Sequence, residues 1–153
     1  MSDRPRRPSD EDIPRPTLVE IDIDTCMDLL ETAEVGRLGY ITEQGDPLIV
    51  PINHLLDDGE IVFRTAPGSK LAVALRESGS PVVYEVDEYD ASTRSGWSVT
   101  VRGRIEPILD QIRTAHLDRT GHRAWVDDLQ RIHWVRIVPD SVSGRRIVRP
   151  EES

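Results

Sequence analysis

Lys70 is the only lysine in a chain that carries 18 arginines. It sits in the run Phe63-Arg64-Thr65-Ala66-Pro67-Gly68-Ser69-Lys70-Leu71. A hydrophobic strand, Ile61-Val62-Phe63, enters a Pro-Gly turn that opens onto residues of helical composition, Ser69 to Arg76. Strand, tight turn and helix start present free backbone N–H groups to an anion. Arg64 adds a planar fork of donors, Lys70 a compact ammonium, and Thr65 and Ser69 two hydroxyls. The segment reads as a phosphate clamp. The same residues also fit a hairpin end in which Ser69 caps a short helix and the basic side chains are solvated.

The elements that would position this clamp are mostly strands. A helix is predicted from Thr25 to Ala33, with Asp24 as its N-cap and Gly36 just past its end. Beyond it the stretches Leu38 to Ile41, Leu48 to Leu55, Glu60 to Thr65, Val82 to Val86, Trp97 to Ile105 and His133 to Val138 are rich in β-branched and aromatic residues, and a last short strand is predicted over Gly144 to Val148. The turns between them carry Gln44-Gly45-Asp46, Asp57-Asp58-Gly59 and Ser78-Gly79-Ser80-Pro81. Six or seven short strands with two or three brief helices predict a closed antiparallel sheet, a small barrel that the helices plug or flank. Between Leu109 and Arg131 the pattern is helical and charge-rich. Residues 1–17, with four prolines among charges, read as a disordered polar tail before one folded domain over 18–148, and 149–153 as a second short tail.

Composition narrows the function. At 153 residues the chain makes one domain, and its net charge of −9 argues against nucleic acid, because no basic stripe interleaves with aromatics. No apolar run reaches the roughly 20 residues that a membrane span requires, so a cytoplasmic protein is expected. The single Cys26 has no disulfide partner in the chain and, among Met27, Leu29 and Leu30, reads as a buried thiol.

Catalytic side chains are hard to find. His54, His116, His122 and His133 show no metal-ligand spacing, so no metal is expected. His116 and His122 read as solvated. Around His133, alternation places Trp134 and Arg136 on one face and Val135 and Ile137 on the other. There is no nucleophile elbow, and the carboxylates of Glu85-Val86-Asp87-Glu88-Tyr89-Asp90 read as a solvated acidic loop. A phosphate clamp on a small barrel without an acid–base side chain suits a cofactor that carries its own chemistry.

Taken together, Leu48-Ile49-Val50-Pro51-Ile52-Asn53, Asp57-Asp58-Gly59, the clamp run and Trp97-Ser98-Val99-Thr100-Val101-Arg102-Gly103 resemble the pyridoxamine 5′-phosphate oxidase-like family of flavin-binding split barrels. The ending from His133 through Gly144-Arg145-Arg146 is similar to a short branch that includes the nitroimidazole-resistance proteins. The resemblance implies a mainly β, six-stranded Greek-key split barrel that forms a homodimer, with FMN bound at the subunit interface. It places Val50, Pro51, Ile52 and Asn53 along the isoalloxazine, Arg64 and Thr65 at the phosphate or ribityl chain, and Ser69 and Lys70 on the phosphate. Ser98 matches a flavin-contacting position that often carries glutamine.

Two departures stand out. The tryptophan and arginine pattern with which the vitamin B6 oxidases hold substrate phosphate is missing, and the clamp has one lysine where they show an Arg-Lys pair. The implied activity is therefore FMN-dependent hydride transfer to a small planar acceptor, with Trp97 and His54 as candidate walls of its pocket or as core residues. Two alternatives remain open. One is a reductase using the 8-hydroxy-5-deazaflavin cofactor, whose acidic tail would need a groove built from Arg94, Arg102 and Arg104, and the other is a non-catalytic flavin- or ligand-binding dimer.

Overall fold

Alternation of apolar and polar residues decides which way each strand faces, and the register of the ladders follows from it. The computed structural model describes residues 15–65, 70–74, 79–121 and 133–150. In chain order the elements are β1 (Thr17–Ile21), α1 (Ile23–Thr32), β2 (Val35–Ile41), β3 (Pro47–Asn53), β4 (Leu55–Asp57), β5 (Glu60–Thr65), α2 (Lys70–Ala74), β6 (Ser80–Asp90), β7 (Ser95–Pro107), α3 (Gln111–Asp118) and β8 (His133–Val148). The strands make one antiparallel sheet in the order β3-β2-β6-β7-β8-β5-β4, and β1 pairs with the second half of β8. It is a mainly β fold, with three short helices among the described residues. The sheet has eight strands where six or seven were predicted, because no strand was assigned ahead of the first helix, where β1 lies, and the Leu48 to Leu55 stretch divides into β3 and β4.

The inner face of the curled sheet is the core. Leu38, Tyr40, Val82, Tyr84, Val86, Val99, Val101, Ile61, Phe63 and Ile137 are buried there together with Cys26 and Leu30 of α1. Val50 and Ile52 of β3 and Leu71 and Ala74 of α2 pack against the same cluster. On the other face of β5 and β8, Val62 and Trp134 join Leu117 of α3 in a second, smaller core. The predicted alternation along His133 to Ile137 thus holds: Val135 and Ile137 point into the main core and Trp134 into the second.

His54 is the hinge of this arrangement. It is 3% exposed, and its Nε2–H donates to the Leu30 carbonyl at 2.9 Å, satisfying one of the carbonyls that the end of α1 leaves without an intrahelical donor. Nδ1 is thereby left to accept from the hydroxyl of Tyr84, a close contact between two buried side chains. Burial pushes the His54 imidazole below its usual range and the Tyr84 phenol above its own, so both are neutral. His54 is therefore a core residue and not a wall of a substrate pocket. The ring of Tyr84 lies over Gly36, where a Cβ would come within 2.3 Å of it, so the glycine belongs to β2 and its role is close packing.

Several predicted boundaries shift for local reasons. The helix starts two residues earlier because Asp22, not Asp24, caps it by accepting from Thr25, and Ala33 ends it. Residues 85–90, expected as an acidic loop, lie inside β6, since the β6–β7 hairpin extends to a turn at residues 91–94. The last short strand is continuous with its predecessor as β8. Asp58 and Gly59, with φ of 51° and 72°, make the tight turn between β4 and β5 as their types predict. Within the described part of the helical stretch lies α3, capped by Asp110; His116 on it is exposed, and His122 lies outside the described residues, as do residues 1–14. Cys26 is fully buried, and burial raises its thiol's pKa.

Replacing Tyr84 by phenylalanine would leave His54 Nδ1 without a donor inside the core. Urea unfolding of Tyr84→Phe should show a stability loss of about 1–3 kcal/mol at an unchanged slope.

Candidate functional site

The sheet curls without closing. Its hydrogen-bonded path ends at β3 on one side and β4 on the other, and only His54 separates them in sequence. β3 follows β2 along the full register from Val35 opposite Asn53 to Ile41 opposite Pro47, whereas β4 pairs with β5 only from Leu55 opposite Val62 to Asp57 opposite Glu60. The closed barrel expected from the strand count is thus a split one: a strand bent at a buried histidine serves both margins of a gap. Among the described residues β3 has β2 as its sole ladder partner, and the end of β5, Phe63 to Thr65, has only β8. Edge strands of this kind leave main-chain donors and acceptors for a ligand, and Pro51 agrees with an edge position.

Val50, Pro51, Ile52 and Asn53 form the last half of β3, with Val50 and Ile52 facing the core and Pro51 exposed. Arg64 and Thr65 end β5 on the other margin, Thr65 buried and Arg64 half-buried. The structure therefore brings six of the predicted site residues to the two margins of one gap. Ser69 lies outside the described residues; Lys70 opens α2, and its side chain lies outside them too. The predicted strand and helix on either side of the clamp are β5 and α2, and the turn predicted between them lies outside the described residues.

Arg64 is already engaged by the protein. Its Nη2 donates to Asp118 Oδ1 at 3.3 Å, and its guanidinium carbon lies 4.5 Å from the centroid of the Trp134 ring. Asp118 Oδ1 also accepts from Trp134 Nε1 at 2.8 Å. Sequence reasoning found Arg64 but not these partners, which come from α3 and β8.

The outer face of β3, β2, β6 and β7 holds two further features. One is an apolar cleft of about 520 Å³ lined by Gly39, Ile41, Leu48, Ile49, Val83 and Arg102 among others. Ile49 is 72% exposed there. The second is a charged group in the same ladder rows, with Pro51 opposite Arg37, Arg37 opposite Glu85, and Glu85 opposite Thr100. Arg37 Nη1 donates to Asp87 Oδ2 at 2.7 Å and stands 3.6 Å from Glu85 Oε1, too far for a hydrogen bond, so that buried oxygen has no hydrogen-bond partner. Burial and the neighbouring Asp87 push the Glu85 carboxyl up to about 7, with Arg37 opposing them.

Residues 22–146 match the family model described as pyridoxamine 5′-phosphate oxidase, from the cap of α1 to the second half of β8. The chain belongs to the pyridoxamine 5′-phosphate oxidase family. An uncharacterized protein of Mycobacterium tuberculosis, Rv0080, is 39% identical over 134 residues, 86% of each chain. Among solved structures, an FAD-binding protein from Mycobacterium smegmatis is 32% identical with a TM-score of 0.72, covering 84% of this chain and 98% of that one. An FAD-binding protein from Mesorhizobium loti is 25% identical with a TM-score of 0.69, covering 88% and 99%.

Within this family fold, Ser98 stands apart from the other predicted residues. It lies on β7 between Asp87 and Arg145, on the outer face with Thr100, which is three ladder steps or about 14 Å from Pro51. Along β8 the residue opposite Ser98 is Arg145 and the one opposite Arg64 is Trp134, so the two are separated by on the order of 30 Å of strand. One chain does not bring Ser98 to the clamp. Trp97, half-buried, packs on the core and lines a hollow of about 370 Å³ with Glu88, Asp90, Ser95 and Arg146. Arg94 sits at the hairpin turn, eight residues from Arg102 along β7, and Arg104 is 3.6 Å from Asp140, so these three do not line one groove.

The Arg37–Glu85–Asp87 group, missed in the sequence because Glu85 and Asp87 were read as part of a solvated acidic loop, makes stability depend on pH. Glu85 titrates higher folded than unfolded, so its favourable contribution is complete below pH about 4.5 and is lost as pH rises to about 7. Denaturant midpoints should show Glu85→Gln equal to the wild type at low pH and increasingly more stable across that window.

Proposed function

We propose that the protein is a flavin-nucleotide oxidoreductase that works as a homodimer, passing hydride from a reductant to a small planar acceptor. The observation that carries this reading is the likeness to the FAD-binding protein of M. smegmatis, 32% identical over most of both chains. FMN is the form that the family resemblance implies and FAD the form bound by those two relatives; both carry a phosphate on the ribityl chain.

The residues present fit such a group. The margin of β3 offers main-chain donors and acceptors beside the apolar side chains of Val50, Pro51 and Ile52, which suits the edge and face of a flat ring. Thr65 and Arg64 border the gap, and Lys70 opens α2 with Ser69 before it in sequence; on these residues a phosphate dianion would gain charge-assisted hydrogen bonds. A bound flavin supplies the redox chemistry itself, and the side chains bind, orient and shield it. The distance between Ser98 and Arg64 supports the dimer: Ser98 of a second copy would complete a site that one chain leaves divided. Exposed Ile41, Leu48, Ile49 and Val83 around the outer cleft would provide an apolar contact for that copy. The deazaflavin reading is less well supported, since the arginines meant for its acidic tail are spread along β7 and its turn.

The purified protein should be yellow, with twin flavin absorbance bands, and chromatography of the released cofactor should identify FMN or FAD. Lys70→Ala should weaken flavin binding at least about tenfold, read by fluorescence titration. A colourless protein that ignores both flavins would end this reading. Ile49→Asp should sediment as a monomer and lose flavin with its partner; a dimer of unchanged affinity would place the interface elsewhere.

A further inference from the structure

Glu85 lies between the two parts of the outer face that a second copy must reach. Two residues before it on β6 is Val83, which lines the apolar cleft, and opposite it on β7 is Thr100, two residues from Ser98 on the same face. A partner that covers the cleft and receives Ser98 at its own gap therefore covers Glu85 as well. Few charges face this carboxyl. Arg37 stands opposite it on β2, Asp87 lies two residues along its own strand, and Arg102 and Ser98 are its diagonal neighbours on β7, with Arg145 one strand further. Arg37 hydrogen-bonds Asp87, and Glu85 Oε1 is left buried without a partner. Its own chain closes that oxygen to a donor from outside. A proton relieves it, since a protonated Glu85 donates to the Asp87 carboxylate.

We propose that Glu85 is a pH switch for assembly: the second copy seats on this face while the carboxyl holds a proton and leaves when the proton is lost to solvent. The switch rests on the reading that this face meets the second copy. With Glu85 protonated, the group of Arg37, Glu85 and Asp87 is neutral as a whole; with Glu85 ionised it carries a surplus negative charge, which the contact would take out of water. Each chain gives up one proton, so dissociation releases two per dimer. Burial under a partner disfavours the ionised carboxyl further than burial in one chain does, so assembly holds at acidic pH and fails as pH rises past neutrality. Ser98 departs with the partner, and flavin affinity falls with it.

The test is sedimentation of the full chain at fixed ionic strength. The dimer dissociation constant should rise at least about tenfold between about pH 6 and about pH 8, as linkage to a proton on each chain requires. Glu85→Gln keeps the shape of the side chain and cannot ionise, so it should remain a dimer with a constant that is flat across this range. Diluting the wild-type dimer at neutral pH into buffers of different ionisation enthalpy should show protons released on dissociation, a measurement that stands without the variant. A wild-type constant that is flat, that falls as pH rises, or that changes equally in Glu85→Gln would overturn the switch; if Ile49→Asp is then a monomer, the interface survives without it. A wild-type monomer at every pH, or an Ile49→Asp dimer, would sink the interface reading and the switch together.

Discussion

The buried contact between His54 and Tyr84 is the constraint on which the rest of the structure depends. His54 is tied through Nε2 to the end of α1 and through Nδ1 to the middle of β6, so the chain between β3 and β4 cannot move away from the core. Its main chain is held as well, with His54 N–H donating to the Glu34 carbonyl. A strand fixed at one point and paired with β2 before it and β5 after it must diverge, and the gap between its two margins is the split of the barrel.

Charge is distributed according to what each face needs. Where α3 lies over β4, β5 and β8, Arg113 donates to Asp57 and Glu60 at 2.9 Å each, and Arg136 bridges Glu60 and Glu106. A half-buried network of this kind satisfies its members mutually and fixes the position of the helix more than it adds to net stability. That position brings Asp118 to Arg64. On the opposite outer face the Arg37–Glu85–Asp87 group has two carboxylates for one guanidinium, and burial leaves the excess charge on Glu85 as a raised pKa. One set of charges is mutually hydrogen-bonded and structural, and the other leaves a buried carboxylate oxygen without a hydrogen-bond partner and is responsive to pH.

Much of the fold was legible because it depends on short-range rules. The Glu60 to Thr65 strand was located to the residue, and β-branched content together with the Asp-Gly turn located its hairpin. The two-residue period of His133 to Ile137 set Val135 and Ile137 on one face and Trp134 and Arg136 on the other, and packing put the first pair in the main core. Alternation could not say where β6 and β7 stop, since Glu85 and Asp87 look equally at home in a loop. The ladder opposite β7 keeps them extended, with Asp87 opposite Ser98 and Asp90 opposite Ser95. β1 was missed for a similar reason: its residues are mostly exposed, and it is a strand because β8 offers it an edge.

The sequence by itself determined the class of the fold, most of the strands along the chain and the edge character marked by Pro51. These follow from side-chain type, spacing and backbone restrictions that act over a few residues. Tertiary structure alone decided that His54 is a core hinge, that Asp118 and Trp134 hold Arg64, and that Ser98 stands far from the clamp in its own chain. Those outcomes depend on contacts between residues separated by 16 to 54 positions, as between Trp134 and Asp118 or Arg64 and Asp118. No local pattern encodes such separations; they are set when burial of apolar surface selects one packing of the sheet.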